Sequence, residues 1–188
     1  LRKKFDLYAS VKPVKSYPNL PSLHKNVDIV FLREVSEGMQ ASGTVIAGSG
    51  EFRPNDEISI GTRVVTRRGA NRIAREAFEI ARMRPRKKVA SVHKEPVYRL
   101  VCGMFAEECR KVAQEFPDVK FEEVLVDGFA MKLVMNPQQY DVVVTDNRIT
   151  AVGPSGSVRV PAGARVIDVS GKTILPGYVD IHAHNWFG

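Results

Sequence analysis

KVASVHKEPVYRLVCGMFAEECRKVAQEFPDVKFEEVLV, running from Lys88 to Val126, is the stretch whose reading decides the fold. Lys88 to Val92 has the apolar, β-branched content of a short strand. Pro96 then opens a longer helix with a stripe of Val97, Leu100, Val101, Met104, Phe105, Glu108 and Val112. Pro117 ends that helix just past Phe116. Phe121 to Val126 is a second strand. Strands alternating with helices of this length predict an α/β layered sheet with flanking helices. Glu108, a carboxylate on the apolar stripe, is expected to have a partner.

The same grammar extends outward from there. Upstream, Val27-Asp28-Ile29-Val30-Phe31-Leu32 is a buried strand ended by Arg33-Glu34, and Glu57 to Thr66 alternates like a strand with one covered face. From Gly69 the pattern turns helical, with Ile73, Ala74, Ala77, Ile80 and Ala81 on one side, and Pro85 stops it. Downstream come a short helix over Ala130 to Val134 and a strand over Tyr140 to Thr145. Between Ser36 and Asp56 the chain is rich in Gly, Ser and Ala, which fits a loop or an extended hairpin arm better than a helix. After Asn147 helical periodicity is lost. The last 42 residues carry short β runs between Gly and Pro turns, an all-β grammar that places a boundary near residue 147. Two units are therefore expected, 1–146 and 147–188.

Of the 188 residues, 44% are hydrophobic and 26% charged, which excludes disordered and collagen-like classes. No apolar run approaches the roughly 18 residues of a membrane span. The chain opens on Leu1 without a basic-then-apolar leader, so it reads as a cut through a longer protein. Cys102 and Cys109, on one helix, would lie about 10 Å apart, beyond disulfide reach; two reduced thiols in a cytoplasmic protein are expected. The net charge is +7, yet residues 61–100 hold twelve Lys and Arg against three Glu. Such a basic stretch suits nucleic acid or a substrate with several carboxylates.

The chemistry-bearing residues are cations near strand ends: Arg2, Lys12, Arg33 and Lys94, with the carboxylate of Asp127 just after a strand. Arg pairs bidentately with carboxylate, and Mg²⁺ takes carboxylate oxygen completed by substrate and water. A di- or tricarboxylate held beside a divalent ion fits this set.

Six motifs in order then carry a resemblance. Leu1 to Pro13 (LRKKFDLYASVKP) is similar to the LRK–x–DLYANxRP opening of the second domain of isocitrate/isopropylmalate dehydrogenases, and Val27 to Glu34 resembles that family's VDIVIVRE strand. Arg67 to Phe78 is similar to its ERIARxAFE helix, and Val92-His93-Lys94-Glu95-Pro96-Val97 sits where the family has DKANV. Val126 to Met131 resembles VDAMAM, and Tyr140 to Asn147 resembles FDVVVTxN. The resemblance implies the second, dimer-forming domain of that fold. It also implies a metal-dependent enzyme that oxidises and decarboxylates a 3-carboxy-2-hydroxy acid with NAD or NADP and Mg²⁺ (or Mn²⁺). By the same resemblance Arg2, Lys12 and Arg33 bind substrate carboxylates, Lys94 works in proton transfer and reaches the partner subunit's site, and Asp127 joins the metal shell. A cytoplasmic homodimer with a small polycarboxylate substrate is implied, with neither nucleic acid nor membrane as partner.

Three departures from the family pattern stand out. Lys12 replaces Arg, Ala41 stands at the expected tyrosine, and the GDILSD element with two further metal aspartates does not follow Asn147. No cofactor-binding residues fall in this stretch, so the expectation is that it does not turn over alone. The tail resembles another family. Asp146 to Gly153, Pro161 to Lys172 and Leu175-Pro176-Gly177-Tyr178-Val179-Asp180-Ile181-His182-Ala183-His184 look like the amidohydrolases' N-terminal β region. That alternative implies a hydrolase of C–N bonds with His182 and His184 as ligands to a Zn²⁺-type ion. The junction near Val144 to Arg148 reads as two unrelated coding fragments joined there.

Overall fold

The protein is described by a computed structural model over residues 4–38 and 50–145. In chain order the elements are β1 (Ala9–Lys15), β2 (Asp28–Glu34), β3 (Glu51–Asn55), β4 (Ile58–Gly61), α1 (Arg67–Arg82), β5 (Lys88–His93), α2 (Val101–Glu115), β6 (Lys120–Leu125), α3 (Val126–Met135) and β7 (Val142–Thr145). Five strands form one sheet in the order β1-β2-β7-β5-β6. β2, β7, β5 and β6 run parallel, and β1 lies antiparallel along the β2 edge.

Both faces of this sheet are covered, which is why its inner strands read as unbroken apolar runs instead of alternating. On one face Val30, Leu32, Val89, Val142 and Val144 pack against Ile73, Ala77 and Phe78 of α1 and Phe105, Cys109 and Val112 of α2. On the other, Ile29, Ala90, Val92, Val124 and Val143 meet Phe129 of α3 and Tyr140. The layered α/β arrangement read from Lys88 to Val126 is thus present.

α1 begins where two side chains satisfy its first amides. Thr66 is extended (φ −107°, ψ 151°) and its hydroxyl accepts from the Gly69 N–H at 3.0 Å. The buried Glu37 carboxylate accepts from the Thr66 N–H at 2.8 Å and from the Thr66 hydroxyl. A methyl added at Gly69 would stand 2.5 Å from that carboxylate. Gly69→Ala is therefore expected to cost about 1–2 kcal/mol even though alanine is worth about 1 kcal/mol more than glycine within a helix, because Glu37 must release bonds worth more than that. Urea unfolding of the variant checks this, and an unchanged or raised midpoint would contradict it.

Several expectations need correction. The helix expected from Pro96 starts at Val101. Residues between form a turn in which the Lys94 carbonyl accepts from the N–H groups of Val97 and Tyr98, at 3.1 and 3.0 Å. Proline has no N–H and suits such a turn as well as a helix start, so Val97 and Leu100 leave the stripe and Leu100 is 86% exposed. The expected strand from Glu57 to Thr66 shrinks to β4, which among the described residues pairs with β3 and is exposed along its length. The helix expected over Ala130 to Val134 spans all of α3. Glu108 is buried and held by Arg67 (3.0 Å), Asn71 (3.1 Å) and Lys111 (2.7 Å). Burial alone would raise its pKa, but hydrogen bonds from Lys111, Asn71 and Arg67 hold it below the usual range. Cys102 and Cys109 are both buried on α2 and unbridged.

The basic stretch is not a bare patch, because acids from elsewhere in the chain meet it. Arg67 pairs with Glu107, Arg75 with Glu115, Arg82 and Lys87 with Asp118, and Lys88 with Glu122. Among the described residues no helix is long and apolar enough to cross a membrane.

Candidate functional site

Four parallel strands ending on one edge bring unlike residues together there. Arg33, near the end of β2, stands opposite Thr145 at the end of β7, which stands opposite Val92 of β5. Strands are spaced about 4.8 Å apart, so Arg33 and Val92 lie about 10 Å apart across β7. One residue past β5 comes Lys94, and in the first turn of α3, just past β6, comes Asp127. The chain thus passes from each parallel strand to a polar or charged group at the same rim.

Lys94 and Asp127 form an ion pair. The Lys94 side chain is 31% exposed and that of Asp127 68%, so the pair faces outward from the rim. The first-turn position also suits Asp127 electrostatically, since the unpaired N–H groups of a helix N-terminus favour a negative charge.

Lys12 and Arg33 occupy the same sheet face as α3. Lys12 is opposite Phe31 and Arg33 opposite Ser10, and Phe31 sits edge-on to Phe129 of α3 with centroids 6.2 Å apart. Both cations are half-buried. Lys12 lies in the middle of β1, not near a strand terminus as its sequence setting implied; the rest of β1 is largely exposed and mixes Val11, Pro13 and Val14 with Ser10 and Lys15, so nothing in the hydropathy marked its ends. Arg2, Ala41, His182 and His184 lie outside the described residues, as does the expected β segment after residue 147.

One acid was missed in the sequence reading. Glu34, buried at the end of β2, accepts from the N–H groups of Ser36 (2.9 Å) and Glu37 (2.7 Å) and lies 3.5 Å from Arg72. It shapes the turn after β2 from the α1 side, while Arg33 beside it takes the opposite face. The available signal was a Glu just past an apolar run and followed by Val-Ser-Glu-Gly, an acid with turn amides two and three residues downstream.

For a metal, the donor chemistry fits in part. Asp127 offers the hard carboxylate oxygen that Mg²⁺ takes, but a single side chain cannot fill an octahedral shell, and Lys94 already holds it. Asp127 can be a share of a metal site and not the whole of one.

Comparison with known proteins identifies the family. The model of the family "Isocitrate/isopropylmalate dehydrogenase" matches residues 1–149. The chain is 40% identical over 174 residues to the isocitrate dehydrogenase [NAD] regulatory subunit 1, mitochondrial, of Arabidopsis thaliana, an alignment covering 88% of this chain and 45% of that protein. It is 37% identical over 147 residues to the 3-isopropylmalate dehydrogenase of Archaeoglobus fulgidus, covering 78% and 43% of the two. The crystal structure of isocitrate dehydrogenase from Methylococcus capsulatus superposes with a TM-score of 0.70 at 37% identity, over 78% of this chain and 42% of that one. The chain spans less than half the length of these relatives.

Proposed function

This chain belongs to the isocitrate/isopropylmalate dehydrogenase family, an enzyme family, and on that premise we propose that it is the substrate-gripping part of an NAD(P)-dependent decarboxylating dehydrogenase subunit. The observation that carries the reading is the convergence of Arg33, Lys94 and Asp127 on one sheet edge, with Lys12 on the same face as Arg33. Arg33, together with Arg2, would grip substrate carboxylates through paired N–H groups, and Lys12 would act as a point charge. Lys94 would move the proton of the substrate hydroxyl. Asp127 would give one oxygen to Mg²⁺, which when bound supplies polarisation of the reacting oxygens.

The subunit would act as a dimer through this domain. Support comes from large apolar side chains left exposed on α3 (Met131, Val134, Met135) and on the β3–β4 ribbon (Phe52, Ile58, Ile60). NAD is favoured over NADP by the relatives' names. Those names also say mitochondrial, so an organelle matrix stands beside the cytoplasm as a compartment. Residues 147–188 would form a separate, amidohydrolase-like β segment with His182 and His184 as two ligands to a Zn²⁺-type ion. A Zn²⁺ titration leaving both imidazole resonances unmoved would contradict that.

A second reading is a regulatory subunit that binds the polycarboxylate without turnover. Ala41 at the tyrosine position favours it, as does the naming of several relatives as regulatory subunits. Both readings require binding, so one experiment tests their common part. Isocitrate or isopropylmalate with Mg²⁺, at about 100-fold over Kd, is expected to raise the melting temperature by roughly 5–10 °C. No rise at millimolar ligand would overturn both.

A further inference from the structure

The neighbours of Lys94 on both sides are tied down on the far side of the sheet. His93 is buried, and its Nε2 lies 3.1 Å from Oε1 of Glu123 on β6. The Glu95 backbone N–H donates to His93 Nδ1 at 3.3 Å, which leaves Nε2 as the ring nitrogen that donates to Glu123. Into this group comes Arg110 from α2. Its Nε donates to Glu123 Oε2 at 3.0 Å, and its Nη2 reaches Glu123 Oε1 at 2.9 Å and Glu95 Oε2 at 2.8 Å. Hydrogen bonds from Arg110 to Glu123 and then Glu95 raise the pKa of this guanidinium further above its already high value.

The ligand atoms of His93, Glu95 and Glu123 lie within 4.8 Å of one another, a spacing that would admit a metal ion. A guanidinium already bonded to both carboxylates makes an ion unnecessary there, so the cluster is better understood as a clamp. What it clamps follows from strand alternation. With His93 and Glu95 drawn to the α2 side, the residue between them must project to the α3 side, where Asp127 receives it. The turn that follows is closed by the Lys94 carbonyl itself, which accepts from Val97 and Tyr98. Glu95 stands where the family pattern DKANV has alanine, so this chain gives the clamp a second carboxylate jaw.

We propose that Arg110 is a positioning residue for Lys94, holding the end of β5 from the α2 side so that the lysine is presented to Asp127. Its functional meaning rests on reading Lys94 as the proton-transfer residue, but its geometry does not. The test uses the whole 188-residue chain and a zero-length carbodiimide. Activated Asp127 condenses with the Lys94 amine to an amide with loss of water, and peptide mass spectrometry reads the yield. Arg110→Met is expected to lower that yield about 5-fold and Glu95→Ala about 2-fold, the scale of losing partly exposed ion pairs. Arg110→Lys should recover part of the loss. Arg75→Met, which breaks a similar α1–α2 pair with Glu115 away from the strand end, should leave the yield unchanged.

An unaltered yield in Arg110→Met would overturn the proposal, and so would an equal fall in Arg75→Met, which would mean general loosening. If Arg110→Met does not fold, Glu95→Ala decides alone, since it keeps the Arg110–Glu123 pair, and an unchanged yield there overturns the proposal. Failure of the dehydrogenase reading would appear as absent polycarboxylate binding, which this cross-link does not measure.

Discussion

Arg84→Met is expected to lower the unfolding free energy by about 3–5 kcal/mol, because it strands a buried carboxylate. Asp141 is 1% exposed at the start of β7 and accepts from Arg84 Nε at 2.6 Å. The same guanidinium bonds the Asp28 carboxylate and carbonyl at the start of β2, each at 2.9 Å. One arginine from the end of α1 thus closes the N-terminal edge of the two neighbouring strands. Without it the Asp141 carboxylate keeps, among the described residues, the Lys88 N–H at 3.3 Å and a long approach from Arg86 at 3.7 Å. Adding Asp141→Asn to the variant should restore a large part of the loss, since it removes the uncompensated charge. Urea unfolding of the two single variants and the double variant reads the coupling, and simple additivity would refute it.

A pH signature accompanies this. Burial pushes the Asp28 pKa up, but hydrogen bonding and charge from Arg84, with Lys15, bring it below its ordinary 3.8. A depressed folded pKa gives stability that is present above pH 3.8 and lost as pH falls through the folded value. In Arg84→Met that acid-side loss should shrink.

Phe78→Ala is expected to cost about 3–5 kcal/mol, the usual range for emptying a fully buried aromatic site. Phe78 is 0% exposed and lies against Phe116 and Phe121, with centroids at 5.3 and 5.7 Å. Its ring is where α1, the end of α2 and β6 meet, so truncation removes contacts to three elements at once. Because those elements sit on a rigid sheet, the space should not close up. The denaturation midpoint should fall with little change in slope. A loss below about 1 kcal/mol would mean the core collapses around the gap.

How much of this could be read in advance depended on what each residue answers to. The inner strands were legible because burial on both faces leaves runs such as Ile29 to Leu32 apolar throughout. β1 was not, since an edge strand needs only backbone pairing, and Pro13 and the lysines hide it. The start of α2 was misplaced because Pro96 is as good in a turn as at a helix start. Arg33, Lys94 and Asp127 could be picked out because strand ends in α/β sheets share an edge. Their pairing, and the Arg110 clamp, depend on residues brought together only by the fold. The basic count over residues 61–100 misled for the same reason: Glu107, Glu115 and Asp118 follow later in the chain and fold back onto it.

The most direct test of the whole account is a backbone NMR titration of the chain with a tricarboxylate and Mg²⁺. The amides of Arg33, Lys94, Asp127 and Thr145 should shift together on one binding curve, while those of Asp28, Lys88 and Asp141 at the opposite sheet edge stay still. Shifts confined to that opposite edge, or none at saturating ligand, would contradict a polyanion grip at the strand-end rim.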